Sequence, residues 1–158
     1  MAALQVGDKA PDFELLDDAG KPVRLSDFRG QPVVLFFYPE DDTPVCTQQA
    51  CSFRDEFAGF EELDAIVMGI SPDSVDSHRA FKRKFRLPFY LLSDPENRVA
   101  TKYESYGTKL MYGKEVQGTI RSSVIVDPKG RVASIHRNVR SEGNGARMVE
   151  ALKAVAAR

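Results

Sequence analysis

The chain has 158 residues, of which 42% are hydrophobic and 28% charged, with a formal net charge of -1. These proportions suit a single globular domain over 1–158 with a core of its own. They give neither the basic footprint of a nucleic-acid binder nor the charge excess of a disordered chain.

In chain order, Asp12 to Leu16 alternates polar and apolar, Asp17-Asp18-Ala19-Gly20 is a turn, and Val23-Arg24-Leu25 alternates again, which predicts a short hairpin. Ser26 to Gly30 is a brief helical turn with Ser26 as its cap. Val33 to Tyr38 is continuous, apolar and β-rich, as in a central strand covered on both faces. A helix follows, with Thr43 as N-cap and Pro44 at the first helical position, running to about Phe60 with Ala50, Phe53, Phe57 and Phe60 on one face. Ala65 to Ile70 is a second buried strand, and Val75 to Phe85 an amphipathic helix with a basic outer face. Tyr90 to Leu92 reads as a strand, Pro95 to Tyr103 as a short helix and residues 104–120 as a long irregular connection. Ser123 to Val126 and Arg131 to His136 form a final strand pair about a turn at Asp127 to Gly130, before a terminal helix from Glu142 to Ala157. Strands alternating with helices predict an α/β sheet in three layers. The apolar runs are too short to span a bilayer, and Met1 to Asp8 lacks the pattern of a secretory leader. The expected location is cytoplasmic, where thiols stay reduced.

The chemistry centres on the two cysteines, Cys46 and Cys51. With Thr43 as N-cap, Cys46 falls in the first turn of its helix, where unpaired backbone N–H groups and the positive end of the helix dipole favour a thiolate. A thiolate attacks peroxide oxygen and becomes a sulfenic acid. The Thr43 hydroxyl is placed to contact peroxide or sulfur. Arg121 supplies a cation if the Ser123 strand lies beside the Val33 strand. Five residues of helix rise about 7.5 Å and turn the two side chains about 140° apart, so a Cys46–Cys51 disulfide requires the first turns to unwind. Spacing alone leaves two inert core cysteines or a structural disulfide equally open. Two cysteines and two distant histidines, His78 and His136, do not make a tetrahedral metal set. Neither histidine has an evident acidic partner, so both are expected at the surface or its boundary.

Pro39-Glu40-Asp41-Asp42-Thr43-Pro44-Val45-Cys46 resembles the active-site motif of the peroxiredoxins, and Cys51 resembles the resolving cysteine of their Q-type, or bacterioferritin comigratory, subfamily. The likeness extends through Gly7 to Phe13, Ser71-Pro72-Asp73, Leu92-Ser93-Asp94, Met111 to Lys114 and Arg121 to Asp127. It implies a thioredoxin-like fold with an N-terminal β-hairpin extension. It also implies a thiol-specific peroxidase that reduces hydrogen peroxide and organic hydroperoxides in antioxidant defence. Cys46 would be peroxidatic and Cys51 resolving; Thr43 and Arg121 would position the peroxide and stabilise the thiolate, and Pro39 would shield the pocket. A thioredoxin-type dithiol would be the reductant, with no cofactor, metal, haem or flavin, in a monomer or a dimer. Two positions depart from the pattern. Val45 replaces a glycine, which predicts a tighter, more apolar rim, and Gln49 replaces a glutamate. Without that carboxylate, Arg121 is either freed for the sulfur or loosened.

Three other readings fit less well. A thioredoxin-type oxidoreductase uses Cys-x-x-Cys, and a glutathione-peroxidase-like site needs a tryptophan, of which this chain has none. A redox sensor that passes the Cys46 sulfenic acid to a partner would not be recycled by a thioredoxin system.

Overall fold

The computed structural model describes residues 3–157. Met1, Ala2 and Arg158 lie outside the described residues, and with them the start of the segment read above for a leader. The described residues build nine strands in order: β1 (Glu14–Asp17), β2 (Pro22–Arg24), β3 (Val33–Phe37), β4 (Ile66–Ser71), β5 (Tyr90–Ser93), β6 (Tyr106–Met111), β7 (Lys114–Thr119), β8 (Ser122–Val126) and β9 (Val132–Arg137). Five helices accompany them: α1 (Pro44–Asp55), α2 (Phe57–Glu62), α3 (Val75–Phe85), α4 (Arg98–Lys102) and α5 (Asn144–Ala156). Seven strands form a mixed sheet in the order β2-β1-β5-β4-β3-β8-β9.

The uninterrupted apolar run of β3 is explained by its place. All five of its residues are buried, with β4 parallel on one side and β8 antiparallel on the other. Successive side chains of a strand point to opposite faces. Val34, Phe36 and Tyr38 therefore enter the core shared with α1, α3 and α5. Val33, Leu35 and Phe37 enter the other, beneath the N-terminal segment and α4. The Phe36 and Phe53 rings stack at 4.3 Å, which ties the middle of α1 to the sheet.

Several expectations change. The helix drawn to Phe60 breaks at Glu56 (φ -101, ψ 8), and α2 then lays Gly59 against Val149. Arg24, not Ser26, precedes the short 3-10 turn Leu25–Phe28, and no side chain caps it. The largest correction concerns residues 104–120, which form the β6–β7 hairpin rather than an irregular loop. Tyr112 and Gly113 both take positive φ (54° and 79°) at its tip, as a tight two-residue hairpin turn requires. Tyrosine is an unusual first residue for such a turn, and most of the hairpin is exposed, so neither turn chemistry nor hydrophobic alternation signalled it. Among the described residues, no helix is long and apolar enough to cross a membrane.

Candidate active site

The site forms where β3 ends. The antiparallel register pairs Phe37 with Ser122, which brings Arg121, one residue before β8, to the end of β3 that leads into α1. The adjacency on which the sequence argument depended is therefore present. Thr43 precedes α1 with extended backbone (φ -90, ψ 154), and Pro44 occupies the first turn. Its hydroxyl donates to the Glu40 carbonyl at 3.0 Å and does not cap the helix. The first-turn N–H groups thus lack that usual partner and remain available to an anion.

Cys46 is buried, at 1% exposure, and both cysteines are free thiols. The Arg121 guanidinium donates through Nη2 to Cys46 Sγ at 3.4 Å. Through Nη1 it donates to Gln49 Oε1 at 2.6 Å. Gln49 is itself fixed, since its Nε2 donates to Asn144 Oδ1 at 2.9 Å, and the Ser123 hydroxyl donates to the same oxygen at 3.2 Å. Of the two outcomes open for Gln49, the structure favours the first. The arginine is held by a neutral amide, and no carboxylate at position 49 draws its charge away from the sulfur. Val45 does not tighten the pocket; it is 51% exposed and turned outward.

Cys51 lies one and a half turns along the same helix, half-buried. Burial pushes its thiol up from the usual value of 9.0, against a smaller opposing effect of Arg54. The structure therefore brings Cys46, Arg121 and Thr43 to one place and leaves Cys51 away from it.

Pro39 and Arg121 line one cleft of about 540 Å³, with Leu110 and Ile120 among its walls. One side of it is the hairpin that sequence patterning had missed. A hollow of about 660 Å³ at the opposite end of the sheet, between Pro32, Val132 and Val155, contains no cysteine.

His78 departs furthest from expectation. It is fully buried and has an acidic partner, with Nδ1 2.7 Å from Asp41 Oδ2. That partner lies 37 residues away in sequence, so no local pattern announced it. His136 sits half-buried on β9, where burial lowers its pKa.

Comparison with known proteins supplies the family. Residues 6–135 match the AhpC/TSA family model. The chain belongs to that family, a class of thiol-dependent peroxidases. Within it the similarity is to the Bcp and Q-type peroxiredoxins. The chain is 44% identical to Peroxiredoxin Bcp of Bacillus subtilis over 95% of its own length and 96% of the relative's. It is 46% identical to a putative peroxiredoxin of Mycobacterium tuberculosis over 92% of each chain. Among solved structures, a Cys-to-Ser mutant of Xylella fastidiosa PrxQ superposes with a TM-score of 0.90 at 31% identity over 99% of both chains. The Xanthomonas campestris bacterioferritin comigratory protein, described in terms of its alkyl peroxide reduction activity, superposes at 0.88 with 33% identity over 99% of both. The fold is thus thioredoxin-like, and the protein is a peroxidase-type oxidoreductase.

Proposed function

We propose that Cys46 is the peroxidatic residue and that the 3.4 Å contact between its sulfur and Arg121 is the centre of the reaction. The Cys46 thiolate attacks the terminal oxygen of a hydroperoxide. The O–O bond breaks, the second oxygen leaves with a proton as alcohol or water, and Cys46 becomes a sulfenic acid. Negative charge grows on the leaving oxygen as the bond breaks. The Arg121 guanidinium and the open N–H groups of the first turn of α1 lie where they stabilise it. Pro39, half-buried beside them, limits water, and Thr43 orients the peroxide.

Cys51 then attacks the sulfenic acid, a disulfide forms and water leaves. The balance is one hydroperoxide and two thiols giving alcohol, water and one disulfide. As peroxiredoxins act on hydroperoxides with thioredoxin-type reductants, a dithiol of that kind returns both thiols, and no cofactor enters. The helical offset between the cysteines means that α1 unwinds for the second step. We place the protein in the cytoplasm as a monomer of one domain. Mass spectrometry of the intact protein after one equivalent of peroxide tests the reading. The expected product has lost two hydrogens, mapped to a Cys46–Cys51 bond. A stable sulfenic acid with Cys51 still free would refute the second step.

A further inference from the structure

Asp41 and His78 lie at the heart of a buried hydrogen-bond cluster that takes no part in the bond changes at Cys46. His78 Nε2 is 3.0 Å from the Leu92 carbonyl, a group that only accepts, so Nε2 carries a hydrogen. Nδ1 faces Asp41 Oδ2 at 2.7 Å. The same carboxylate oxygen accepts from the Ser77 hydroxyl at 2.8 Å, and Oδ1 accepts from the Tyr38 phenol at 2.6 Å. Two buried acceptors at that separation repel unless a proton lies between them. The pair is therefore joined by one hydrogen bond between Nδ1 and Oδ2. Burial first, and then Asp41, push the Tyr38 phenol well above its usual range, so it stays a donor. The Asp41 backbone N–H donates to Asp73 Oδ2 at 2.7 Å, which also accepts from the Ser71 hydroxyl at 2.6 Å. Asp41, Asp73 and His78 form a compact group of metal-ligand type, but all three are engaged in hydrogen bonds within the cluster.

The placement of the cluster has a consequence for the reaction. Asp41 stands two residues after Pro39 and two before Thr43. Through it, the loop bearing both is fastened to Tyr38 at the end of β3, Ser71 at the end of β4, Leu92 on β5, and Ser77 and His78 on α3. We infer that Asp41 and His78 are positioning residues for the peroxidase reaction: their buried pair holds the Pro39–Thr43 loop in place beside Cys46 and Arg121 before the peroxide arrives. The inference rests on the peroxidase reading of Cys46. A displacement of about 1 Å in a preorganised site costs on the order of 100-fold in rate, so the clamp has kinetic weight although neither side chain takes part in bond-making.

Stopped-flow reaction of the reduced protein with hydrogen peroxide isolates the first step. Asp41→Ala, in protein shown to be folded by circular dichroism, should react about 10-fold to 100-fold more slowly, with the yield of Cys46–Cys51 disulfide per peroxide consumed unchanged. Asp41→Asn should recover to within about threefold of the parent, because its amide donates to a neutral Nδ1 and its carbonyl still accepts from Tyr38. Tyr38→Phe removes one donor to Asp41 with little change of shape and serves if Asp41→Ala does not fold; it should slow the step by about threefold to tenfold. A purely structural role would lower the melting temperature and leave the rate constant alone. Folded Asp41→Ala or Tyr38→Phe protein reacting at the parental rate overturns the inference. Inactivity of the parent, or peroxide consumption by Cys46→Ser, overturns the peroxidase reading instead.

Discussion

The chain on the two sides of Cys46 is held in opposite ways. Before it, the Pro39–Thr43 loop is fastened through buried side chains to three strands and α3. After it, the first turns of α1 are attached to the start of α5 and the segment leading into it by a seam of neutral hydrogen bonds, while Phe53 further along stacks on the sheet. Ser141 donates to Gln48 Oε1 at 2.6 Å, Gln49 to Asn144 at 2.9 Å, and the Gly145 N–H to Ser52 Oγ at 2.7 Å. Each neutral hydrogen bond is worth only about 1 kcal/mol net. The difference suits a two-step reaction. The pocket must be rigid while peroxide is attacked, and the helix beyond it must open so that Cys51 can reach the sulfenic acid. Opening also frees Cys51 from the burial that raises its thiol, making it a better nucleophile at the moment it is needed.

The two cysteines give the sharpest test of this contrast. Cys46→Ser should abolish peroxide consumption. Cys51→Ser should consume the first equivalent at the parental rate and then accumulate sulfinic acid at Cys46 by mass spectrometry. Equal loss in both variants would erase the division of labour. On the rigid side, Arg121→Ala removes the cation bonded to the sulfur. The second-order rate constant should fall about 100-fold to 1,000-fold, as when a charge-stabilising donor is lost.

On the mobile side, Gly145 is the tightest point of the seam. A Cβ there would lie 2.3 Å from the Ser52 carbonyl oxygen, so α1 and α5 approach as closely as they do only because residue 145 is glycine. Gly145→Ala should cost about 1–3 kcal/mol of stability, read from the denaturant midpoint, by forcing the helices apart. Hydrogen exchange over residues 43–55 should be faster in oxidised than in reduced protein; equal protection would contradict unwinding.

The smallest effect is the pH dependence of that opening. Below about pH 9 Cys51 is a thiol in both closed and open forms and contributes no slope. As pH rises past the usual thiol value of 9.0, the exposed Cys51 of the open form ionises first, because its pKa in the closed form is raised. The open form then binds fewer protons and gains population, until pH passes the raised value. Exchange over residues 43–55 should therefore accelerate as pH rises past the usual thiol value of 9.0 and level off above the raised value, and Cys51→Ser should remove that part of the increase.

Local sequence determined more of this protein than its size suggests. The extended Thr43 at the start of α1, the proline after it and Cys46 in the first turn are set by neighbours within one turn, although the Thr43 hydroxyl turns to Glu40 instead of capping the helix, and the unbroken apolar run of β3 reports burial on both faces whatever covers them. The rest depended on partners distant in sequence. Arg121 is 75 residues from the sulfur it touches, and only the pairing of β3 with β8 delivers it. Asp41 and His78 are 37 apart, and an isolated histidine in a helix with a basic face carries no mark of a buried carboxylate. The Gln49–Asn144 contact spans 95 residues. The β6–β7 hairpin escaped notice because most of its residues are exposed and its tight turn begins with a tyrosine. Capping and burial patterns are local physics that a short segment carries by itself. The clamp and the seam around Cys46 arise only when the sheet closes and places groups from β3, β4, β5, α3 and α5 against the same short stretch of chain.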